Sequence, residues 1–259
     1  MRPGDGPAAD WRDAAAYAPL LQVGRSGFAW EWLRRDQSYR AAAVKEAWES
    51  PEHIVRANPA AARWGLHAFE APDRSAIAAR PVWRHEISPF VLEADAADAG
   101  DDDERLDLER LEHYVTLVPD PGGTEHLLLS DGSRSIRVDI VSGTLRAGPA
   151  LLRYRLAGFR IAKPLLVLRQ LLALCRSGQF SAVLHPREQR AARWILLLRA
   201  HDALVAGASQ RDIAERLLGL ELTGRWRLQA SSLRSRAQRL VREARRMAAE
   251  GYVSLLNGR

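Results

Sequence analysis

Two residue types are nearly missing from these 259 residues. Cys175 is the only cysteine, so no internal disulfide can form and no cysteine-based zinc knuckle can be built. Of the 38 basic residues only Lys45 and Lys163 are lysine, so the positive charge is almost entirely guanidinium. Long apolar runs are missing as well. The richest stretch, Ile161 to Cys175, is interrupted by Lys163 and Arg169, which excludes a membrane span. The opening Met-Arg-Pro-Gly-Asp-Gly has no apolar signal core, and a cytoplasmic protein is expected. Motifs that carry catalysis are absent too. The seven histidines (His53, His67, His85, His113, His126, His185 and His201) show no His-Glu-x-x-His spacing. There is no glycine-rich phosphate loop with a lysine and no Gly-x-Ser-x-Gly elbow. Asp101-Asp102-Asp103-Glu104 lacks the glycine and the spacing of a calcium loop, so it reads as a solvated linker or helix start. The expectation is no catalytic residue, no metal site, no cofactor and no enzymatic activity.

What is present is a folded, strongly polarised chain. Hydrophobic residues make up 47% of it and tryptophan occurs eight times, which argues against disorder. The net charge of +6 conceals an asymmetry: residues 151–259 hold 21 basic against 7 acidic residues, leaving 17 against 25 for residues 1–150. Such a split suggests one half facing nucleic acid and the other facing protein.

Along the chain, residues 10–65 read as helical and aromatic-rich. Trp11, Tyr17, Leu20 and Leu21 form a first amphipathic piece, with Gly24 and Gly27 as punctuation and Ser26 as a capping residue. Phe28 and Trp32 then share a helical face, and Tyr39, Ala43, Ala47 and Trp48 continue a third piece ended by Ser50-Pro51. The tryptophans are core aromatics on this reading; the competing reading is a base-stacking platform for RNA. From Pro81 to Gly158 the pattern changes to period two. Leu127 and Leu129 face Ile136, Val138 and Ile140 across Ser130-Asp131-Gly132-Ser133, a hairpin signal. Val82 to Val91, Tyr114 to Val118, and Leu152 to Leu156 supply further strands of a small antiparallel sheet. Residues 164–251 return to helix. Pro164 and Leu165, Leu168, Leu172 and Cys175 mark the first, closed by Ser177-Gly178. Pro186 starts the second, with Trp194, Leu198, Ala203 and Val205 inward and Gly207 ending it. Ser209 caps a third helix through a Ser-x-x-Asp box with Asp212; Ile213, Leu217 and Leu218 form its buried face and Gly219 its end.

The last helix carries the charge. Leu233, Ala237, Leu240, Ala244 and Met247 make an apolar stripe at 3-4-3-4 spacing, and Ser235, Arg239, Arg242 and Arg246 fall opposite it. A helix, a tight turn at Gly207-Ala208, a capped helix and then a basic helix is the order of a helix-turn-helix. Arg239 and Arg242 have the reach for guanine edges, Ser235 and Gln238 can bond other bases, and Arg211, Arg234, Arg245 and Arg246 suit phosphates. The connection 219–230 is longer than the three or four residues of a compact motif, which leaves the docking geometry open. The competing reading of this helix is an ordinary solvated arginine-rich surface.

On these segments the chain resembles a proteobacterial family of transcriptional activators, the FseA and RovC type. The N-terminal likeness rests on Trp11-Arg12-Asp13, Tyr17, Phe28 through Asp36 (Phe-Ala-Trp-Glu-Trp-Leu-Arg-Arg-Asp), and Tyr39-Arg40. The C-terminal one rests on Leu184-His185-Pro186-Arg187, Gly207 through Glu215, Ser232 through Arg236, and Gly251-Tyr252 before Leu255-Leu256. The resemblance implies a DNA-binding activator of mobile-element transfer or secretion-system genes that binds its promoter through the C-terminal part. The fold expected is α+β and mainly α: an aromatic-rich helical module over 1–75, a β-rich middle over 76–160, and a helix-turn-helix-like DNA-binding domain over 161–259. Double-stranded promoter DNA is the expected partner, in a homo-oligomer because one short helix specifies few base pairs, with RNA polymerase as a further candidate partner. The alternative is a protein-interaction module such as an anti-activator that sequesters a regulator.

Overall fold

The computed structural model describes residues 10–46, 53–98, 105–158, 161–219 and 231–258. The leader, the Ala47, Trp48 and Ser50-Pro51 signals, the acidic run 101–104 and the connection 220–230 with Trp226 lie outside them. The architecture is α+β, with helices in the N- and C-terminal parts of the sequence and a small mixed sheet between them. Space divides the chain into two compact units. One gathers Met1–Ala41, Pro72–Ala76 and Arg187–Arg259; the other gathers Ala42–Ala71 and Ile77–Pro186.

The second unit is built on a five-stranded sheet in the order β2-β3-β4-β1-β5, with β1 (Leu92–Asp98), β2 (Val115–Pro119), β3 (Glu125–Ser130), β4 (Ser135–Ser142) and β5 (Ala150–Arg155). The hairpin signal is realised: β3 and β4 pair antiparallel, Leu127 opposite Val138 and Leu129 opposite Ile136. Gly132 sits in its turn at φ 92°, where a side chain is strained. Two expectations about the sheet need correction. The first strand is Leu92–Asp98 and not Val82 to Val91, and it pairs parallel to β4 while pairing antiparallel to β5. Small residues alternate with acids in Leu92–Asp98, so its apolar signal is weak; insertion between two stronger strands decides it.

Strand alternation sorts the sheet residues to two faces. On one face Leu117, Leu127, Leu129, Ile136, Val138 and Ile140 pack with Val167, Leu171 and Leu174 of helix α3 (Ala162–Ser177). The buried stripe of α3 therefore runs one register away from Leu165, Leu168, Leu172 and Cys175. Leu165 is exposed, and Leu168 and Cys175 are only partly buried. On the other face Val118 and Leu128 meet Val55, Ala68 and Val82. That face is also polar: the rings of His67 and His126 stack with centroids 3.4 Å apart, and His126 Nδ1 lies 2.8 Å from Asp139, which also accepts from Arg137.

The first unit is helical: a 3-10 segment (Ala15–Gln22), α1 (Arg25–Leu33), α2 (Gln37–Lys45, of which residues to 41 belong here), α4 (Ala191–Val205), α5 (Gln210–Leu218), α6 (Ser231–Arg246), a π turn (Met247–Gly251) and α7 (Tyr252–Leu256). Gly24 is the N-cap of α1, so Ser26 lies inside the helix and does not cap it. Phe28 through Leu33 are all buried, as expected of a helix apolar on nearly every side. Trp11, Trp30 and Trp32 are core residues, at most 3% exposed. Their rings cannot stack on bases, so the RNA-platform reading of these tryptophans falls. Leu21 and Val205 are exposed, unlike the inward positions expected of them.

Candidate nucleic-acid interface

The candidate interface is assembled by three helices. In α4, Trp194, Leu198 and Ala203 are buried, and the helix ends at Ala206-Gly207, where Gly207 adopts φ 79°. The chain turns and Ser209 caps α5: its hydroxyl accepts from the Asp212 amide while Asp212 accepts from the Ser209 amide at 2.8 Å, completing the capping box. These bonds from Ser209 hold the Asp212 carboxyl below the ordinary carboxylate range. Ile213 and Ala214 of α5 are fully buried, Leu217 and Leu218 partly so, and Gly219 ends the helix at φ 64°. α4, α5 and α6 pack against one another.

Helix α6 shows the two faces that its spacing predicts. Ala237, Leu240, Ala244 and Met247 are buried, joined by Val241, which periodicity did not single out; the Leu233 side chain lies outside the described set. Arg234, Ser235, Gln238, Arg239, Arg242, Arg245 and Arg246 are all exposed. Ser235, Arg239, Arg242 and Arg246 recur at i, i+4, i+7 and i+11, forming one outward row about 16 Å long. Gln238, Arg234 and Arg245 border that row on one side. Arg239 and Arg242 are exposed, and among the described residues no ion pair covers either guanidinium.

Arg211 is placed differently. It lies exposed in the first turn of α5, and its Nε donates to Glu215 at 3.0 Å. Its charge is already partly answered by Glu215. Three further side chains border the candidate site and were not singled out in the sequence. Arg236 is exposed on the border of α6 opposite Gln238, seven residues before Glu243 and so on the same side. Glu243 is the one acid in α6, and it pairs with Arg193 of α4. The pair links α6 to its supporting helix and cancels the charge that would repel an anion there. The signal for Arg236 was present in the helical wheel; the one for Arg193 required knowing that α4 and α6 are neighbours.

The geometry thus defines a supported helix that displays an exposed row in which Arg239 and Arg242 have no ion pair among the described residues. Comparison with known families gives that description a place. Residues 158–257 match the family described as T6SS, Transcription factor, DNA binding domain. Residues 10–67 match the family described as Proteobacterial transcriptional regulator-like domain. The two occur in the N-to-C order expected from the sequence, and together they support a transcription factor. No curated protein matches the chain. Among the described residues no helix is long and apolar enough to cross a membrane.

Proposed function

We propose that the protein is a sequence-specific DNA-binding transcriptional regulator that activates promoters of secretion-system or mobile-element transfer genes. The observation that carries the reading is the outward row of α6, where Arg239 and Arg242 stand exposed and have no carboxylate partner among the described residues. A helix is about as wide as the major groove of B-DNA, and guanidinium forks at successive turns match the O6 and N7 acceptors of guanine. Ser235 and Gln238 address other base edges, while Arg234, Arg245, Arg246 and Arg211 neutralise phosphates and set the register. α4 and α5 act as the support of a helix-turn-helix whose second connection, residues 219–230, is long in sequence. Two copies of the chain reading two half-sites supply the specificity that one helix cannot. RNA polymerase would be the downstream partner of such an activator. The reading rests on the α6 face and on the two matched families; the secretion-system target rests on the words of one of them, and the mobile-element target on the sequence resemblance alone.

Binding to a duplex selected from a random-sequence library, followed by fluorescence anisotropy, tests it. Affinity falls steeply with salt as counterions are released. Arg239→Ala or Arg242→Ala costs about 1–3 kcal/mol and relaxes base preference at one position, whereas Arg246→Ala weakens all duplexes alike. Unchanged binding by an Arg239→Ala/Arg242→Ala double variant would remove the assignment of α6 to the groove. A chain that ignores every duplex yet captures a second regulator would instead be an anti-activator.

A further inference from the structure

The two matched families divide the first unit at a place where the packing does not. The 3-10 segment and α1 fall in the N-terminal match, whereas α4, α6 and α7 fall in the C-terminal one. Yet the 3-10 segment packs on α4, and α1 packs on α4, on the π turn and on α7. Phe28 sets its ring edge against Trp194 with centroids 5.0 Å apart, and Trp32 does the same to His201 at 5.6 Å. Leu255 and Leu256 of α7 are buried. Helix α6 is consequently held in two ways. α4 and α5 pack against it, and at its C-terminal end it runs through the π turn into α7, which is seated on α1.

A closed polar network lies inside this packing. The Asp202 carboxylate of α4 accepts from the Tyr17 hydroxyl at 2.7 Å and from Arg35 Nε and Nη2 at 2.8 and 2.9 Å. Arg35 reaches back to Glu31, which also accepts from Arg34 Nε at 2.8 Å and from the Ala76 amide at 2.8 Å. The side chains of Glu31, Arg34, Arg35 and Asp202 are all at most 7% exposed. Burial opposes the charges of Arg35 and Glu31. The facing charges outweigh it, holding the Arg35 guanidinium more firmly protonated and the Glu31 carboxyl below its usual range. Buried ion networks of this kind contribute little net stability compared with apolar residues of the same shape. What they impose is direction: Asp202 is satisfied only when α4 holds one rotation and one register against α1.

We infer that residues 11–35 are a positioning element of the DNA-reading unit, with Tyr17, Arg35 and Asp202 as positioning residues that fix α4 and, with α7 seated on α1, fix how α6 is presented. This rests on the assignment of α6 to the groove, and it goes beyond that assignment by placing the control of specificity in the N-terminal segment. The network does not touch DNA. It sets the angle and depth at which the outward row of α6 meets the base edges, so its loss acts on selectivity before it acts on charge-driven binding.

The test uses the full chain and a Tyr17→Phe/Arg35→Met/Asp202→Leu triple variant, which replaces the network by apolar side chains of similar volume. Glu31 keeps Arg34 and the Ala76 amide as partners. Three quantities are read: the thermal midpoint, amide hydrogen exchange through residues 237–247 and 252–256, and affinity for the library-selected duplex against a scrambled duplex of equal length. The expected result is cooperative unfolding near the wild-type midpoint, with faster exchange in α6 and α7. Affinity for the selected duplex is then lowered about tenfold or more while the scrambled duplex is bound as before. A folded triple variant that keeps both the wild-type selectivity ratio and the wild-type exchange pattern overturns the inference. Should the triple variant fail to fold, Tyr17→Phe alone, which removes one hydroxyl, decides by the same two readouts. A wild-type chain that prefers no duplex would defeat the DNA assignment, and the exchange of α6 and α7 would still decide whether the network positions them.

Discussion

Single residues in this chain often do the opposite of what their type suggests. Tryptophan next to arginine, as in Trp30-Glu31-Trp32-Leu33-Arg34-Arg35, has the composition of a nucleic-acid surface, yet the first five are buried and the Arg35 side chain is only 5% exposed. The apolar part was legible, because aromatic rings at helical spacing usually bury one another. The charged part was not, since the partner that makes burying Arg35 tolerable, Asp202, lies far along the chain. Phe28 is fully buried against Trp194, so Phe28→Ala should cost about 3–5 kcal/mol in the unfolding of the first unit, measured by denaturant titration. In the second unit His67 is buried, its Nε2 has no hydrogen-bond partner among the described residues, and burial followed by the neighbouring His126 and Arg137 pushes it down to about 3. The folded state therefore keeps His67 neutral where the unfolded chain, near its ordinary value of about 6.5, takes up a proton. Because the unfolded state binds more protons between those values, the second unit loses stability as pH falls from 7 toward 3. Urea midpoints of this unit should drop between pH 7 and pH 5, and His67→Phe should flatten that slope.

Among the elements, those with strong local punctuation were the easiest to read. The α5 capping box, the Gly178, Gly207 and Gly219 helix ends and the Ser130–Ser133 hairpin are each set by a few adjacent residues, and each is present. Elements decided by distant neighbours were not legible. β1 has only Leu92 and alanines to mark an inward face, and α3 carries so many leucines that two stripes compete; the sheet selects Val167, Leu171 and Leu174. Gly132 shows how far a local signal can carry. A Cβ there would come 2.2 Å from the carbonyl oxygen of Ile77, at a φ of 92°. Gly132→Ala should thus destabilise the second unit by about 2 kcal/mol or more, combining backbone strain with a contact that neither backbone can yield cheaply. Thermal unfolding followed by circular dichroism would measure it.

For the molecule as a whole, chain order and spatial order part company. The charge asymmetry between residues 1–150 and 151–259 points to the C-terminal part that holds α6, a signal that depends on composition alone. The outward row of the candidate interface was legible for the same reason: one helix carries both its stripe and its charges. Its supports were not, because the contacts of α1 with α4 and α7, and of Arg193 with Glu243, join segments that the linear chain keeps apart. The first unit is discontinuous, drawing on three stretches of sequence.

That discontinuity has a kinetic side. During synthesis Phe28, Trp30 and Trp32 leave the ribosome well before Trp194 and His201, the residues of α4 that cover Phe28 and Trp32. At translation rates of about 5–20 residues per second the wait is roughly 10–30 s, while α1 has an apolar surface and no partner from α4 or α7. A chaperone that holds exposed aromatic segments would find its substrate in that interval. Slowing translation between residues 77 and 186 should lower the yield of native protein, and supplying the segment from 187 onward in trans should restore part of it.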